Sequence, residues 1–354
     1  MRLGPILKLL LVALLAVASG TLECGGAKLS EPELRGAVLY KRMCVVCHGP
    51  SGQGYAADQA PSLTRPDFLS EVDDAYLRTA ILEGRGGTTM SAWSTFRGGP
   101  LQPKEADAVI AYLRGFTDRP RAVLDESNVG GNADRGQTIY DSECARCHGA
   151  KGLGGLFVNI GNPDLIKSAS NGFFRDVIRR GRPGTPMPSF EAAIGAQGVE
   201  DLLALLRQWQ RVPQPMRPPP AKPPPLPLGP VPIHPKGPEP EGFSMHPATT
   251  KVDVVKAQLD RGARLALLDA RASSDYIGEH IADAVSVPFY DPEPYLAQLP
   301  KDAWLVCYCS CPHAESKTLA AKLVEKGFPK VTVLDEGLRI WKSKGYPTHT
   351  GTDP

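Results

Sequence analysis

The pentapeptide Cys44-Val45-Val46-Cys47-His48 recurs one hundred residues later as Cys144-Ala145-Arg146-Cys147-His148. Two cysteines separated by two residues lie about one helical turn apart, so their thiols can bond both vinyl groups of one haem. The adjoining histidine can then ligate the iron. The two motifs therefore predict two covalently bound c-type haems and a role in electron transfer.

Taken singly, each pentapeptide also fits a zinc half-site, a dithiol redox pair or chance. The flanking residues favour a repeated domain over these alternatives. Arg35-Gly36-x3-Tyr40-x3-Cys44 matches Arg135-Gly136-x3-Tyr140-x3-Cys144, and a glycine-rich stretch follows each histidine. We therefore expect two equivalent globular repeats.

Methionine is the expected second axial ligand of each iron. Met90 is the only methionine between His48 and the end of the first repeat, and Met187 is the only one between His148 and the end of the second. Methionine usually fills a core, but both lie in glycine- or proline-rich loops. No further histidine occurs within residues 1–233, so bis-histidine ligation would need a ligand from the C-terminal part. A thioether ligand raises the reduction potential, which suits an electron carrier.

The helical pattern agrees with two small all-α units. The stretches from Glu31 to Cys44 and from Ala133 to Cys144 open with acidic residues and have helical character. Apolar residues recur at three- and four-residue spacing from Ala106 to Leu113 and from Leu202 to Trp209.

With these motifs the two repeats resemble class I cytochrome c domains over about residues 30–212. The resemblance implies an N-terminal helix that ends at the attachment motif, a middle helix before the methionine loop, and a C-terminal helix that crosses the first. It also implies a proline carbonyl that accepts the ring N–H of each haem histidine, a role that Pro61 and Pro163 fit.

Close approach of the crossing helices is predicted at a glycine in each repeat. Gly36 and Gly136 carry no side chain that would hold the C-terminal helices away. Tyr112 and Trp209 are the residues expected to pack there.

Composition allows two or three globular domains, since 42% of the residues are hydrophobic and 22% are charged. The formal net charge of +2 gives no general attraction to nucleic acid or to anionic membranes. We therefore expect no nucleic-acid partner.

The N-terminus is typical of an export signal. Residues 1–23 combine basic residues, a short apolar run and the small residues Ala16-Val17-Ala18. The expected location is the periplasm. Lipidation of Cys24 would instead anchor the chain to a membrane, although Glu23 makes a poor lipidation signal, and an uncleaved N-terminal helix would do the same.

A proline-rich linker is predicted at residues 213–241. Half of the residues from Pro213 to Pro240 are proline, which removes donors and favours extended polyproline II. At full extension the linker could separate its neighbours by up to roughly 80 Å. A spacer is favoured over a recognition motif, and the sequence specifies no close approach between the parts that it joins.

Beyond the linker, strands alternate with helices. Short apolar runs at Leu265–Asp269, Ala303–Tyr308 and Lys330–Leu334 are predicted to be strands, and residues 316–326 carry helical spacing between the last two. This order predicts an α/β unit with a parallel sheet, whose site lies at the carboxyl ends of the strands.

The C-terminal residues resemble the rhodanese family over about residues 245–349. Asp269-Ala270-Arg271 and the segment from Tyr276 to Ala284 resemble its first signature, and Glu336-Gly337-x3-Trp341-x3-Gly345 resembles its closing signature. The chain is thus interpreted as a signal peptide, cytochrome c domains at 28–119 and 127–212, the linker and the rhodanese-like domain.

The resemblance implies a nucleophilic Cys309, with Cys311 beside it and Asp269 and Arg271 in support. The loop departs from the family, because the place of the expected arginine falls on Ala314 or Glu315. A carboxylate there would repel thiosulfate and disfavour a thiolate. Two interpretations stay open: Cys309 accepts sulfane sulfur or pairs with Cys311, or the cysteines are structural in a degenerate binding module.

Two functions follow. The first is an exported dihaem electron carrier, or the cytochrome subunit of a respiratory complex, that meets a redox donor and an acceptor and uses the rhodanese-like domain for docking or sulfur binding. The second is a sulfur- or thiol-oxidising enzyme, or a sulfurtransferase, that takes a small sulfur compound at Cys309 and passes electrons to the haems.

Overall fold

The computed structural model describes residues 29–55, 60–211, 229–310 and 313–354. The expected signal peptide, Cys24, the linker up to residue 228 and Cys311 lie outside these ranges. Within them, no helix combines the length and the apolar character that crossing a membrane requires.

The first repeat is all-α, as expected. Glu33 stabilises the start of its first helix by accepting a hydrogen bond from the main chain of Ser30 at 2.7 Å. Tyr40 and Met43 lie on the buried face of this helix, directly before the first motif cysteine. The helices are α1 (Glu31–Met43), α2 (Val45–His48), α3 (Pro66–Glu71), α4 (Asp74–Glu83) and α5 (Pro103–Arg114).

The second repeat has the same order of helices. Its first helix is confirmed from Ala133, but the last turn, Tyr140–Cys144, is wound as a π-helix. The final helix contains a kink at Gly195, where φ is 67°. The helices are α6 (Ala133–Ile139), α7 (Ala145–His148), α8 (Pro163–Ser168), α9 (Asn171–Arg180) and α10 (Glu191–Arg211).

The first and last helices of each repeat meet backbone to backbone at a glycine. A Cβ atom on Gly36 would lie 2.0 Å from the carbonyl oxygen of Ala108, and one on Gly136 would lie 2.1 Å from that of Asp201. Both distances are far below van der Waals contact, so only glycine allows α5 to lie on α1 and α10 to lie on α6 at this spacing.

The aromatic partners of these glycines are confirmed in part. The Cβ atom of Tyr112 would lie 2.8 Å from a Cβ on Gly36. In the second repeat Leu205 is the side chain beside Gly136. Trp209 lies further along α10 and packs edge-on against Tyr140, with ring centroids 4.9 Å apart.

The C-terminal unit is an α/β domain. Its strands are β1 (Thr249–Thr250), β2 (Leu265–Asp269), β3 (His280–Ile281), β4 (Ala284–Ser286), β5 (Trp304–Tyr308), β6 (Val331–Leu334) and β7 (Thr348–His349). Five of them form a parallel sheet of order β1-β6-β5-β2-β4. The central strands β2 and β5 are wholly buried, in keeping with their apolar sequences. The helices are α11 (Val252–Asp260), α12 (Ser273–Gly278), α13 (Ala314–Glu325) and α14 (Gly337–Ser343).

The register of this sheet brings the candidate sulfur site together. Asp269 at the end of β2 lies opposite Tyr308 at the end of β5. Arg271 and Cys309 follow these positions in their loops, at the carboxyl edge of the sheet. The remaining strands, β3 and β7, form a separate antiparallel pair.

The C-terminal unit lies directly against the first repeat. Arg42 donates to the carbonyl oxygen of Tyr290 at 3.0 Å and pairs with Asp291 at 2.9 Å. Trp93 meets the ring of Tyr290 with centroids 5.5 Å apart. The proline-rich linker gave no indication of this close approach, because the length of a linker limits the largest separation of its neighbours and not the smallest.

Substitution of the crossing glycine tests this packing. Gly36→Ala should lower the stability of the helical part by about 1–3 kcal/mol, because the new methyl group would overlap the backbone of α5. Urea unfolding followed by circular dichroism measures the change. Gly130→Ala is the matched control, since nothing lies within 4 Å of its Cβ position, and its effect should stay within about 0.5 kcal/mol. Equal stabilities of the two variants would contradict the packing.

Candidate haem sites and the sulfur-site loop

Each attachment motif is a helical turn at the end of the first helix of its repeat. The main chain of His48 donates to the carbonyl oxygen of Cys44 at 2.9 Å, which fixes the cysteine pair and the histidine relative to one another. One turn earlier, the Tyr40 hydroxyl donates to the carbonyl oxygen of Gly49 at 2.8 Å. Tyr140 makes the equivalent bond to Gly149 at 2.7 Å.

The two histidines are held in one orientation by their Nδ1 atoms. The Nδ1 atom of His48 lies 3.1 Å from the carbonyl oxygen of Pro61, as expected. In the second repeat the expectation for Pro163 is wrong, because Nδ1 of His148 lies 2.9 Å from the carbonyl oxygen of Val158. Pro163 instead opens α8. A carbonyl oxygen only accepts, so Nδ1 carries the proton and Nε2 keeps its lone pair for a metal.

Burial favours the uncharged form of His48 and of the first cysteine in each motif. His48 is 8% exposed, and burial lowers its pKa. Burial also raises the pKa of the Cys44 thiol to about 12 and that of Cys144 to about 11. The first cysteine of each motif therefore lacks the lowered pKa of an activated thiol. Among the described residues no three His, Cys, Asp or Glu side chains are grouped to bind a metal ion.

The two methionine loops have the same internal hydrogen bonds. The main chain of Met90 donates to the Thr88 hydroxyl at 3.1 Å, and its carbonyl oxygen accepts from the main chain of Arg85 at 2.9 Å. The corresponding bonds of Met187, to Thr185 and from Arg182, are 3.2 and 2.9 Å long. These bonds fix the main chain at each methionine, while both side chains pack, partly buried, against apolar core residues.

All eight predicted haem residues line one continuous cavity of about 2230 Å³. Ordinary ligand pockets measure about 300–1,000 Å³, so this cavity is far larger than one small ligand needs. Its walls contain the thiols, imidazoles and thioethers that a covalently attached haem requires. The residues present therefore fit the c-type haems that the motifs imply. The eight residues are Cys44, Cys47, His48, Met90, Cys144, Cys147, His148 and Met187.

The methionine loops also join the repeats to one another, which was not predicted from the sequence. Arg85 donates to the carbonyl oxygen of Asp164 at 3.0 Å, and Arg182 pairs with Glu71 at 2.5 Å. The sequence contains a repeated pattern that could have indicated these contacts: Gly84-Arg85 and Gly181-Arg182 occupy equivalent places, with each arginine five residues before its methionine.

The rhodanese-like loop brings most of its predicted residues together. Arg271 is buried and forms a two-point ion pair with Asp269, with bonds of 2.9 and 2.5 Å. It also donates to the Ser310 hydroxyl at 3.2 Å. The Cys309 sulfur lies 3.3 Å from the Ser316 hydroxyl and is only 1% exposed.

Glu315 dominates the electrostatics of this loop. The helix α13 begins at Ala314, so Glu315 lies in its first turn and is 5% exposed. Burial and then the neighbouring Cys309 raise its carboxyl pKa well above the ordinary value. A neutral carboxyl group thus occupies space where an anionic donor would need a cation, and the positive charge of Arg271 is already engaged by Asp269.

The same loop region faces the first repeat. The Ser91 hydroxyl donates to Asp275 at 2.5 Å, and the Ser274 hydroxyl donates to the carbonyl oxygen of Ala92 at 2.6 Å. Both serine contacts tie α12 to the segment that directly follows Met90. Ser310 and Glu315 line the same cavity as the haem residues.

Comparison with known proteins agrees with the division of the chain into two helical repeats and a C-terminal α/β unit. The family model described as cytochrome c oxidase, cbb3-type, subunit III matches residues 31–113 and 131–206, and that of the rhodanese-like domain matches residues 251–344. The cbb3-type cytochrome c oxidase subunit CcoP of Azospirillum brasilense is 26% identical over 182 residues, covering 47% of this chain and 58% of the relative. Subunit FixP of Bradyrhizobium diazoefficiens is 26% identical over 200 residues, covering 54% and 65%.

This chain therefore spans about three fifths of the length of these curated relatives. Among solved structures, the rhodanese-like domain of an Anabaena sp. protein is 28% identical, with 29% of this chain and 78% of that chain covered and a TM-score of 0.27.

The loop geometry predicts that thiosulfate is not a sulfur donor. Purified protein supplied with thiosulfate and cyanide should form no thiocyanate above the rate without protein, because Glu315 lies where the anion needs a cation. Colorimetric thiocyanate measurement tests this, with Cys309→Ser as the blank. Turnover that depends on Cys309 would contradict the interpretation.

Proposed function

Because the chain consists of two cytochrome c domains followed by a rhodanese-like domain, we propose that it is a dihaem electron carrier. One observation carries the proposal: a buried histidine with a free Nε2 and a methionine loop occur twice and line the same cavity. A bound haem iron supplies one-electron transfer between its ferrous and ferric states.

Equivalent residues are proposed to bind the haem in the two repeats. Cys44 and Cys47 would form the thioether bonds in the first repeat and Cys144 and Cys147 in the second. His48 and Met90 are the proposed axial ligands of the first iron, and His148 and Met187 of the second. The Nδ1 hydrogen bonds orient both imidazoles, and the walls of the cavity around them are mostly apolar.

The boundary between the repeats supports transfer from one haem to the other. The cavity continues across it, and the rings of Tyr76 and Phe173 meet there with centroids 5.8 Å apart. Two redox centres in one enclosure need no diffusional encounter between them. The outer partners would then be a donor at one repeat and an acceptor at the other.

The proposed setting is the periplasmic side of a respiratory membrane. The relatives are named as subunits of cbb3-type oxidases, which supports a role beside a respiratory complex. The sequence of residues 1–23 supports export. Lipidated Cys24 or an uncleaved N-terminus would keep the chain at the membrane, and cleavage after residue 23 without lipidation would release it.

For the rhodanese-like domain we propose docking rather than sulfurtransferase chemistry. Its helix α12 holds the segment after Met90 through Ser274 and Asp275. Among the described residues of its loop, Glu315 is a buried carboxyl group whose pKa is raised by burial. The domain therefore covers the methionine side of the first repeat and stabilises it.

Haem count and ligation test the main proposal. Pyridine haemochrome analysis should give two haems per chain. Met90→Ala and Met187→Ala should each remove the weak sulfur-to-iron absorption band of one haem and lower the reduction potential of that haem, because the thioether favours Fe(II). A count below two, or bands that persist in both variants, would contradict the assignment.

A second candidate is sulfur or thiol oxidation at Cys309, favoured by the continuity of the cavity from the haem residues to Ser310 and Glu315. In that case the Cys309 thiol and hydrosulfide would combine into a persulfide, with loss of two protons and two electrons to the two haems.

Anaerobic reduction by sulfide separates the candidates. Under the docking proposal, sulfide should reduce wild type and Cys309→Ser at equal rates, followed by haem absorbance, with dithionite as the control for competent haems. A rate at least tenfold slower in Cys309→Ser would establish the second candidate and contradict docking alone.

A further inference from the structure

The two repeats meet through two equivalent arginines whose partners in the other repeat differ in charge. Arg85 and Arg182 each lie five residues before the proposed methionine ligand. Each reaches into the short helix of the other repeat, α8 or α3. Each guanidinium also lies over an aromatic ring of its own repeat, Tyr76 at 4.9 Å and Phe173 at 5.1 Å. The interface is thus a two-fold arrangement made by one chain.

Arg182 is matched with acidic side chains. Its Nη1 atom lies 2.5 Å from Glu71 and 3.4 Å from Asp67, both on α3. Glu71 is mostly buried, with a side chain 7% exposed. The Nη1 atom of this arginine is therefore engaged by acidic side chains.

Arg85 is matched with neutral acceptors. Its Nη1 atom donates to the carbonyl oxygen of Asp164 and to the Ser168 hydroxyl, both at 3.0 Å. Its Nη2 atom is buried and makes no hydrogen bond of good geometry within residues 29–55, 60–211, 229–310 and 313–354, although the guanidinium interacts with the Tyr76 hydroxyl closely enough to affect the pKa of that tyrosine. A buried donor on a cation is costly to leave unmatched, so an acceptor is expected to complete it.

One sequence difference accounts for the asymmetry. Pro66 and Pro163 open α3 and α8, so Glu71 and Ser168 occupy the same sixth position of these helices. The acidic residue engages Arg182, whereas the serine leaves Arg85 with part of its donor capacity unused. Asp164, at the position of Asp67, accepts instead from the main chain of Gly86 at 2.9 Å through its carboxylate.

We propose that Arg85 donates its Nη2 hydrogen to a haem carboxylate at the boundary between the repeats. The inference rests on the proposed function, since it requires bound haem. Arg85 lines the haem cavity, and the carboxylates are the anionic groups that the porphyrin brings into it. A cation beside a carboxylate offsets the negative charge that stabilises the ferric iron, so Arg85 raises the potential of one haem. Arg182, engaged by its own acids, has no such role.

Arg85→Gln and Arg182→Gln form a matched pair, because each removes one positive charge from an equivalent position. Arg85→Gln should lower the midpoint potential of one haem in a spectroelectrochemical titration and shift one carboxylate bending band in resonance Raman spectra. Arg182→Gln should leave the Raman bands in place and change the potentials less. Arg85→Lys, which keeps the charge, should restore most of the potential.

The outcomes separate this inference from the proposed function. Two haems with normal ligation but no change of potential or Raman band in Arg85→Gln would overturn the role of Arg85 alone. Equal changes in the two glutamine variants would overturn it as well. Fewer than two haems in the wild type would instead overturn the dihaem proposal. If Arg85→Gln fails to fold, Arg85→Lys and Glu71→Gln still test the inference, since Glu71→Gln should not shift the carboxylate band.

Discussion

The contact between two backbones at one glycine sets the geometry of each haem repeat. Gly36 lets α5 lie directly on α1, and Gly136 does the same for α10 on α6. This contact fixes the direction of α1, which ends next to Cys44, and of α6, which continues through the π-helical turn to Cys144. The tyrosine one turn earlier then bonds the carbonyl oxygen of the glycine that follows the motif histidine. Helix packing and ligand placement are therefore one constraint.

Sequence reasoning predicted the parts that depend on side-chain chemistry at fixed spacing. The paired motifs, the crossing glycines and the parallel sheet all follow from local pattern. The carbonyl group that accepts from His148 could not be predicted in this way. Every residue has a carbonyl oxygen, and the length of the loop decides which of them lies beside the imidazole. Pro61 lies thirteen residues after its histidine, whereas Val158 lies ten residues after its own.

The position of the rhodanese-like unit could not be predicted for a related reason. Its contacts with the first repeat use Ser91, Ser274 and the carbonyl oxygen of Ala92, which are small polar groups without a motif. The unmatched donor of Arg85 was equally hidden, since it arises from a difference between Glu71 and Ser168 that matters only when the repeats face one another. The departure at Glu315, by contrast, was visible in the sequence, and burial turns it into a neutral group beside Cys309.

The bond between Ser91 and Asp275 holds one of the two methionine loops from outside its repeat. Ser91, directly after Met90, is buried against another domain, whereas Pro188 and Ser189 after Met187 are exposed. If Met90 and Met187 ligate iron as proposed, this bond would restrain the detachment of Met90 more than that of Met187. Small exogenous molecules such as carbon monoxide or cyanide would then reach the second proposed iron more readily than the first.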